Sequence, residues 1–162
     1  MNKDKFGKVV AVCLSSQKGT PKKPVGAATL LVDHGFNHDA HAGPWHRQVS
    51  LLDYSKVEEF NARGGKVTHG DFGENILVSG LDFRSIPIGA KLQVGQATLE
   101  LTQHGKECHD RCQIYHRVGD CIMPREGVFA RVLVGGEVKD GDEVVLINSE
   151  TKIPAKSAEQ AA

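Results

Sequence analysis

Lys91-Leu92-Gln93-Val94-Gly95-Gln96-Ala97-Thr98-Leu99-Glu100-Leu101-Thr102 has the clearest alternation in the chain. Leu92 and Val94 alternate with Lys91 and Gln93, and Leu99 and Leu101 alternate with Thr98, Glu100 and Thr102. That period of two puts apolar side chains on one face of a strand and polar ones on the other. Between the two runs stands Gly95-Gln96, the length of a two-residue hairpin connection. Outward from this hairpin, short runs rich in apolar and β-branched residues recur at Lys8 to Leu14, Ala27 to Val32, Gln48 to Leu52, Asn75 to Val78, Val128 to Val134 and Glu143 to Ile147. Glycines and polar pairs punctuate them. Eight short strands separated by turn signals predict a mainly β protein, a sandwich or a barrel. Two stretches read as helix: Asp53 to Arg63, stopped by Gly64-Gly65, and Asp110 to Val118, stopped by Gly119. Both are expected to cover the ends of the barrel.

The chain has 162 residues, the size of one domain with a real core. Its apolar patterning fades after Ile147, so residues 1–148 are expected to form the domain and 149–162 a flexible tail. Lysine plus arginine and aspartate plus glutamate both number 20. No whole-molecule field therefore draws the protein to nucleic acid or to an anionic membrane, and any charged ligand must be met by a local patch. The first residues lack an apolar signal segment, and no stretch reaches the roughly 20 apolar residues of a membrane helix. A soluble protein of the cytoplasm is expected. In that reducing setting the four cysteines, at 13, 108, 112 and 121, serve reactivity or metal binding rather than disulfides. Cys13, inside Val9-Val10-Ala11-Val12-Cys13-Leu14, reads instead as a small hydrophobe in a buried strand.

Three segments have the residues to carry chemistry. The first runs from His104 through Lys106, Cys108, His109, Arg111, Cys112 and His116 to Cys121, a strand-to-helix junction rich in thiols. A helix starting near His109 places Cys108 at its cap, where the positive end of the dipole favours thiolate; Lys106, His109 and Arg111 add positive potential. A thiolate attacks sulfur, carries a persulfide or ligates a soft metal. Cys112 stands one helical turn beyond Cys108. Cys108, Cys112 and Cys121 with nearby histidines contain enough ligands for zinc, but one C-x3-C and a lone cysteine after eight intervening residues do not match the paired knuckles of structural zinc sites.

The second segment, Asp33 to Gln48, holds four histidines in thirteen residues together with Arg47. Imidazole and guanidinium suit an anion such as phosphate, and a solvated loop is the competing reading for His34 and His38. The third, Thr68-His69-Gly70-Asp71-Phe72-Gly73-Glu74-Asn75-Ile76, is a Gly-x-x-Gly turn entering a strand. Glu74 and Asn75 there either orient a ligand or tie one loop to another.

These segments together resemble the MOSC (molybdenum cofactor sulfurase C-terminal) domain family, in its small stand-alone bacterial form. The resemblance runs through Asp39-Ala40-His41, Arg47-Gln48-Val49-Ser50-Leu51-Leu52, Phe72-Gly73-Glu74-Asn75, Ile88 to Gly95, Thr102-Gln103 and on to Cys108, then Gly127 to Val132 and Gly141-Asp142. It implies a β-rich, barrel-like fold. It also implies that Cys108 carries sulfur as a persulfide or ligates molybdenum, with His41, Arg47, Asn75, Lys106 and His109 binding the anionic molybdenum cofactor (molybdopterin). The activity implied is of sulfurtransferase type or dependent on that cofactor, with a cysteine desulfurase or molybdenum cofactor enzymes as partners. Two alternatives stay open: a non-catalytic module binding zinc or a molybdenum species through Cys108, Cys112 and Cys121, and a subunit of a molybdenum-dependent reductase of N-hydroxylated compounds. Pyridoxal phosphate is not supported, because no lysine stands in a Schiff-base context. The chain departs from the family pattern in having Glu107 where proline often precedes the cysteine. It departs again in the additional Cys112 and Cys121, which can resolve a persulfide by forming a disulfide or share metal ligation.

Overall fold

A computed structural model describes residues 6–17, 22–105 and 127–147. Seven strands close into a barrel: β1 (Phe6–Leu14), β5 (Val49–Asp53), β6 (Ile76–Ser79), β7 (Lys91–Val94), β8 (Ala97–His104), β9 (Val128–Val134) and β11 (Glu143–Ile147). They follow the order β11-β7-β8-β9-β5-β6-β1, and pairing of β1 with β11 completes the ring. The expected hairpin is present: Leu92 pairs with Leu99 and Val94 with Ala97, and Gly95 turns at a φ of 57°. Closure removes the sheet edges that a sandwich would leave open.

Alternation also explains why the barrel has two apolar faces in places. Val9, Val12, Val49, Leu51, Ile76, Val78, Leu92, Leu99, Leu101, Val128 and Val132 fill the interior. A register shift between Val9 and Ala11 lets Val9 and Val12, three residues apart, both point inward. Ala11, Cys13, Leu52, Leu77 and Phe129 pack in a second cluster with Val57 and Phe60 of α1 (Tyr54–Ala62). The helix therefore covers the outer face of β5 and β6 rather than an end of the barrel, as those strands are apolar on both sides. Asp53 caps it, accepting from the Ser55 backbone N–H at 2.9 Å.

Three short strands escaped the sequence reading: β2 (Lys23–Pro24), β4 (Gly35–Phe36) and β10 (Gly136–Lys139). β3 (Ala27–Leu31) leaves the barrel and joins β10 and β4 in a small separate sheet. Two-residue pairings and a Gly-Glu-Val-Lys strand leave no period to count, which is why they were invisible. The predicted helix over 110–118 and the tail over 149–162 lie outside the described residues. Among the described residues no helix is long and apolar enough to cross a membrane.

Candidate functional site

The loop from Asp33 to Gln48 is folded back on itself and anchored at both ends. Gln48, fully buried, donates from its amide to Asp33 Oδ1 at 2.9 Å and accepts from the Val132 N–H at 2.9 Å. Gly35 permits the return: its φ is 118°, and a Cβ there would stand 2.5 Å from the Gln48 carbonyl oxygen. In the middle of the loop Asp39 forms an ion pair with Lys22, both side chains having no exposed surface. Lys22 Nζ lies 2.9 and 3.2 Å from the two Asp39 oxygens, 3.2 Å from Ser15 Oγ and 3.0 Å from His41 Nδ1. Asp39 also accepts from the backbone N–H groups of Ser15 and His41, each at 3.1 Å. Burial by itself would raise the Asp39 carboxyl. The Lys22 charge and these hydrogen bonds outweigh it and hold the group below the usual carboxylate range.

Arg47 continues this arrangement toward the barrel. Its guanidinium lies 4.7 Å from the centre of the Trp45 ring and 5.5 Å from that of Phe129, and the Trp45 indole N–H donates to the His41 carbonyl at 2.7 Å. Arg47 Nε is the buried side-chain polar atom that, among the described residues, has no hydrogen-bond partner. Next to it the His46 carbonyl accepts from the Thr102 hydroxyl, and His46 Nε2 lies 2.7 Å from Gln103 Oε1. The Gln103 amide donates to the Gly105 carbonyl at 2.8 Å, and the Gly105 N–H to the Gly127 carbonyl at 2.6 Å. That last hydrogen bond continues the pairing of β8 with β9 beyond His104 and Val128.

The Gly-x-x-Gly segment has a bracing part. Glu74 is fully buried, accepting from the Gly70 N–H at 2.6 Å and the Phe72 N–H at 3.1 Å. Burial pushes its carboxyl up to about 7 despite those donors. Gly70, with a φ of 89°, lets the Lys22 backbone pass: a Cβ would meet the Lys22 carbonyl oxygen at 2.0 Å, and the Lys22 N–H donates to the Gly70 carbonyl at 2.7 Å. Asn75, equally buried, accepts from the Ser50 N–H at 3.0 Å and donates to the Cys13 carbonyl at 3.0 Å, joining β1, β5 and β6. Of the two roles open to Glu74 and Asn75, tying loops together is the one their hydrogen bonds perform. A pH dependence follows. The folded carboxyl of Glu74 holds its proton up to about 7, against 4.5 for an ordinary glutamate, so the folded state binds the extra proton between those values. Relative to Glu74→Gln, the wild type is expected to lose on the order of 3 kcal/mol of stability as pH rises through that window, and none above it. Urea unfolding of both proteins at stepped pH measures this, and parallel profiles would refute it.

The expected site residues thus divide. His41 and Arg47 belong to one continuous loop, and Asn75 ties the strand after that loop to β1 through Ser50 and Cys13. Lys106, Cys108, His109, Cys112 and Cys121 lie outside the described residues. Cys13 is buried as expected, and burial pushes its thiol far up, leaving it unreactive. Sequence reasoning missed Lys22, whose only signal was a lysine in a Pro-Lys-Lys-Pro run with no pattern to mark it as buried. It also gave Trp45 and Gln103 no part. Among the described residues no three histidine, cysteine or acidic side chains are grouped to hold a metal. One open cleft of about 330 Å³, lined by Phe6, Lys8, Ser79 and Glu143, lies at the opposite end of β1 from Ser15.

The sequence matches the family model of the MOSC domain over residues 37–145, a span that includes Asp39, His41, Arg47, Glu74 and Asn75. It is 25% identical over 146 residues to YflK of Bacillus subtilis strain 168, covering 82% of this chain and 64% of YflK, so it spans less than two thirds of that relative. Among solved structures it superposes on YuaD of Bacillus subtilis with a TM-score of 0.73 and 17% identity, covering 87% of this chain and 95% of that one. It superposes on YiiM of Geobacillus stearothermophilus with a TM-score of 0.69 and 20% identity, covering 88% and 75%. Identities this low speak for the fold alone.

Proposed function

The chain belongs to the MOSC domain family, and from that premise we propose that it binds the molybdenum cofactor beside Arg47 and carries sulfur on Cys108. The observation that carries this reading is Arg47 Nε, a buried donor without a partner on a guanidinium held between two aromatic rings. Folding gains nothing from a desolvated, unpaired N–H, whereas an anionic ligand supplies the acceptor it lacks. The residues fit the phosphate end of the cofactor: Arg47 as the charged donor, His41 as an imidazole of the same loop, and Asn75 bracing β5, the strand that the loop enters. When bound, the cofactor supplies a metal centre that takes sulfur ligands.

Covalent geometry supports Cys108 as the sulfur-bearing group. It stands three positions after Gly105, so its Cα stays within about 11 Å of the Cα of Gly105, which Gln103 links to His46, the chain neighbour of Arg47. In the reaction proposed, the Cys108 thiolate attacks the outer sulfur of a persulfide on a cysteine desulfurase. One S–S bond breaks as another forms, the donor departs as thiolate, and the proton stays on the transferred sulfur, with no net oxidation. Lys106 and His109 would favour the attacking thiolate, and Cys112 and Cys121 would resolve the persulfide or share metal ligation.

Mass spectrometry of intact protein after incubation with a cysteine desulfurase and cysteine tests this. The wild type and Cys13→Ala are expected to gain the mass of a sulfur atom, removable with cyanide, and Cys108→Ala to gain none. Full sulfur loading of Cys108→Ala would sink the carrier role. Stoichiometric zinc in the freshly purified protein, with no reactive thiol, would favour a metal-holding module instead.

A further inference from the structure

Resting on the reading that Arg47 meets an anion, we propose that His46 is a second binding residue of that site, taking up a proton on Nδ1 when a dianion of the phosphate-monoester class arrives. The hydrogen bonds that hold His46 run in a direction fixed at their far end. The Gly105 carbonyl can only accept, so Gln103 Nε2, 2.8 Å away, donates to it, and the orientation of that amide is set. Gln103 therefore turns Oε1 toward His46 Nε2, at 2.7 Å. An amide oxygen has no hydrogen to give, so the proton of this bond sits on Nε2. The Thr102 hydroxyl donates to the His46 carbonyl, and β8 thus grips the residue by backbone and by ring.

This anchor survives a change of charge. Nε2–H is present in the neutral ring so held and in the imidazolium alike, and the two differ only at Nδ1. His46 is exposed, and its Nδ1 has no hydrogen-bond partner among the described residues. The sheet brings it to Arg47. Gln103 and Phe129 are partners across β8 and β9, and side chains directly opposite stand on the same face of a sheet. One holds the imidazole, and the other lies 5.5 Å from the Arg47 guanidinium. Both groups also border Trp45, the guanidinium 4.7 Å and the imidazole 6.0 Å from its ring centre. Thr102, Gln103 and Trp45, which contact His46, are uncharged, and the charge beside it in the chain is Arg47. That like charge opposes an imidazolium while the site is empty, and a dianion reverses the sign by leaving one negative charge for a second cation to meet. The proton comes from solvent, and no anchoring bond breaks.

Sulfate, a dianion that does not itself titrate near neutral pH, is the probe. Long-range proton–nitrogen NMR at pH 8, with His46 assigned by the signal lost in His46→Gln, is expected to show Nε2 in the N–H range and Nδ1 unprotonated. Saturating sulfate is expected to move Nδ1 into the protonated range. Calorimetry in buffers of different ionisation enthalpy is expected to find protons taken up with sulfate by the wild type and not by His46→Gln. Between pH 8 and pH 6 the wild-type affinity should rise roughly 10-fold and that of His46→Gln stay level. In Gln103→Leu both nitrogens are expected to move toward a common intermediate shift, as the freed ring exchanges tautomers. A wild-type Nδ1 already protonated at pH 8, or one unmoved by saturating sulfate, would overturn the proposal without recourse to a variant's folding. Arg47-dependent sulfate binding with equal proton uptake by wild type and His46→Gln would remove His46 and leave the reading of Arg47 standing. Sulfate that fails to bind, or that binds Arg47→Met equally well, would overturn both.

Discussion

Asp39→Ala is expected to lower the unfolding free energy by about 3–5 kcal/mol, the largest loss from any single substitution in the loop. The carboxylate it removes is the sole anion on Lys22 Nζ among the hydrogen bonds described, and neither side chain of the pair has exposed surface. Among the hydrogen bonds described, the ammonium would keep only its contacts with Ser15 Oγ and His41 Nδ1. A buried amine in that state gives up its proton or draws in water, and each costs free energy. The same change strips acceptors from the backbone N–H groups of Ser15 and His41. Removing both charges tells the pair apart from its surroundings: Lys22→Met with Asp39→Leu should lose less than Asp39→Ala alone, because no stranded charge remains. The pH profile carries a second signature. The folded Asp39 carboxyl lies below its ordinary value of 3.8, so its contribution is present above that value and lost as pH falls through the folded one. The wild type should therefore gain acid sensitivity below pH 3.8 that the double variant lacks. Urea denaturation at pH 7 and at low pH reads both effects, and a loss under about 1 kcal/mol for Asp39→Ala would show that the pair is dispensable.

The barrel was legible because its strands announce themselves. Lys91–Val94, Val128–Val134 and Glu143–Ile147 form at the bounds their patterns indicate, and Gly95-Gln96 turns between β7 and β8. Periodicity reports burial on one face, so it succeeds wherever a strand is long enough to show two or three repeats. It said nothing of Gly35–Phe36 or Lys23–Pro24, whose pairing is dictated by the loop that carries them. It also misjudged α1, because a helix on the outer face of a barrel looks in sequence like one at its end. The site divides along the same line. His41 and Arg47 stood out as an imidazole and a guanidinium in a glycine-bounded loop. Lys22 did not, since a buried lysine is written with the same letter as a solvated one and only its three-dimensional partners distinguish them. Asn75 was read as facing a ligand or closing a loop. Full burial against Ser50 and Cys13 gives it the second task, which no local pattern separates from the first.

Arg47→Met should weaken binding of inorganic phosphate by about 10- to 100-fold while changing stability by less than about 1 kcal/mol. The two numbers come from separate accounts of one side chain. For folding, the guanidinium gains from Trp45 and Phe129, a contact worth roughly 0.5–2 kcal/mol. Against that stands Nε, buried without a partner, at about 1–3 kcal/mol of desolvation. These nearly cancel, and methionine keeps the contact with the rings through its flexible thioether without burying a donor. For binding, the terms add: a charge-assisted bond to an anion is worth about 1.5–3 kcal/mol, and the unpaired donor is satisfied at the same moment. Arg47→Lys should fail to restore affinity, because an ammonium is a point charge that neither stacks between two rings nor presents a donor at the position of Nε. Calorimetry with phosphate and thermal unfolding of the same samples separate the outcomes. If Arg47→Met lost stability and left phosphate binding untouched, Arg47 would be a pillar between Trp45 and Phe129, and the anion would have to be met elsewhere. A residue that costs the fold and serves a ligand is the pattern expected of a binding site, where stability is given up locally for an interaction that only the complex completes.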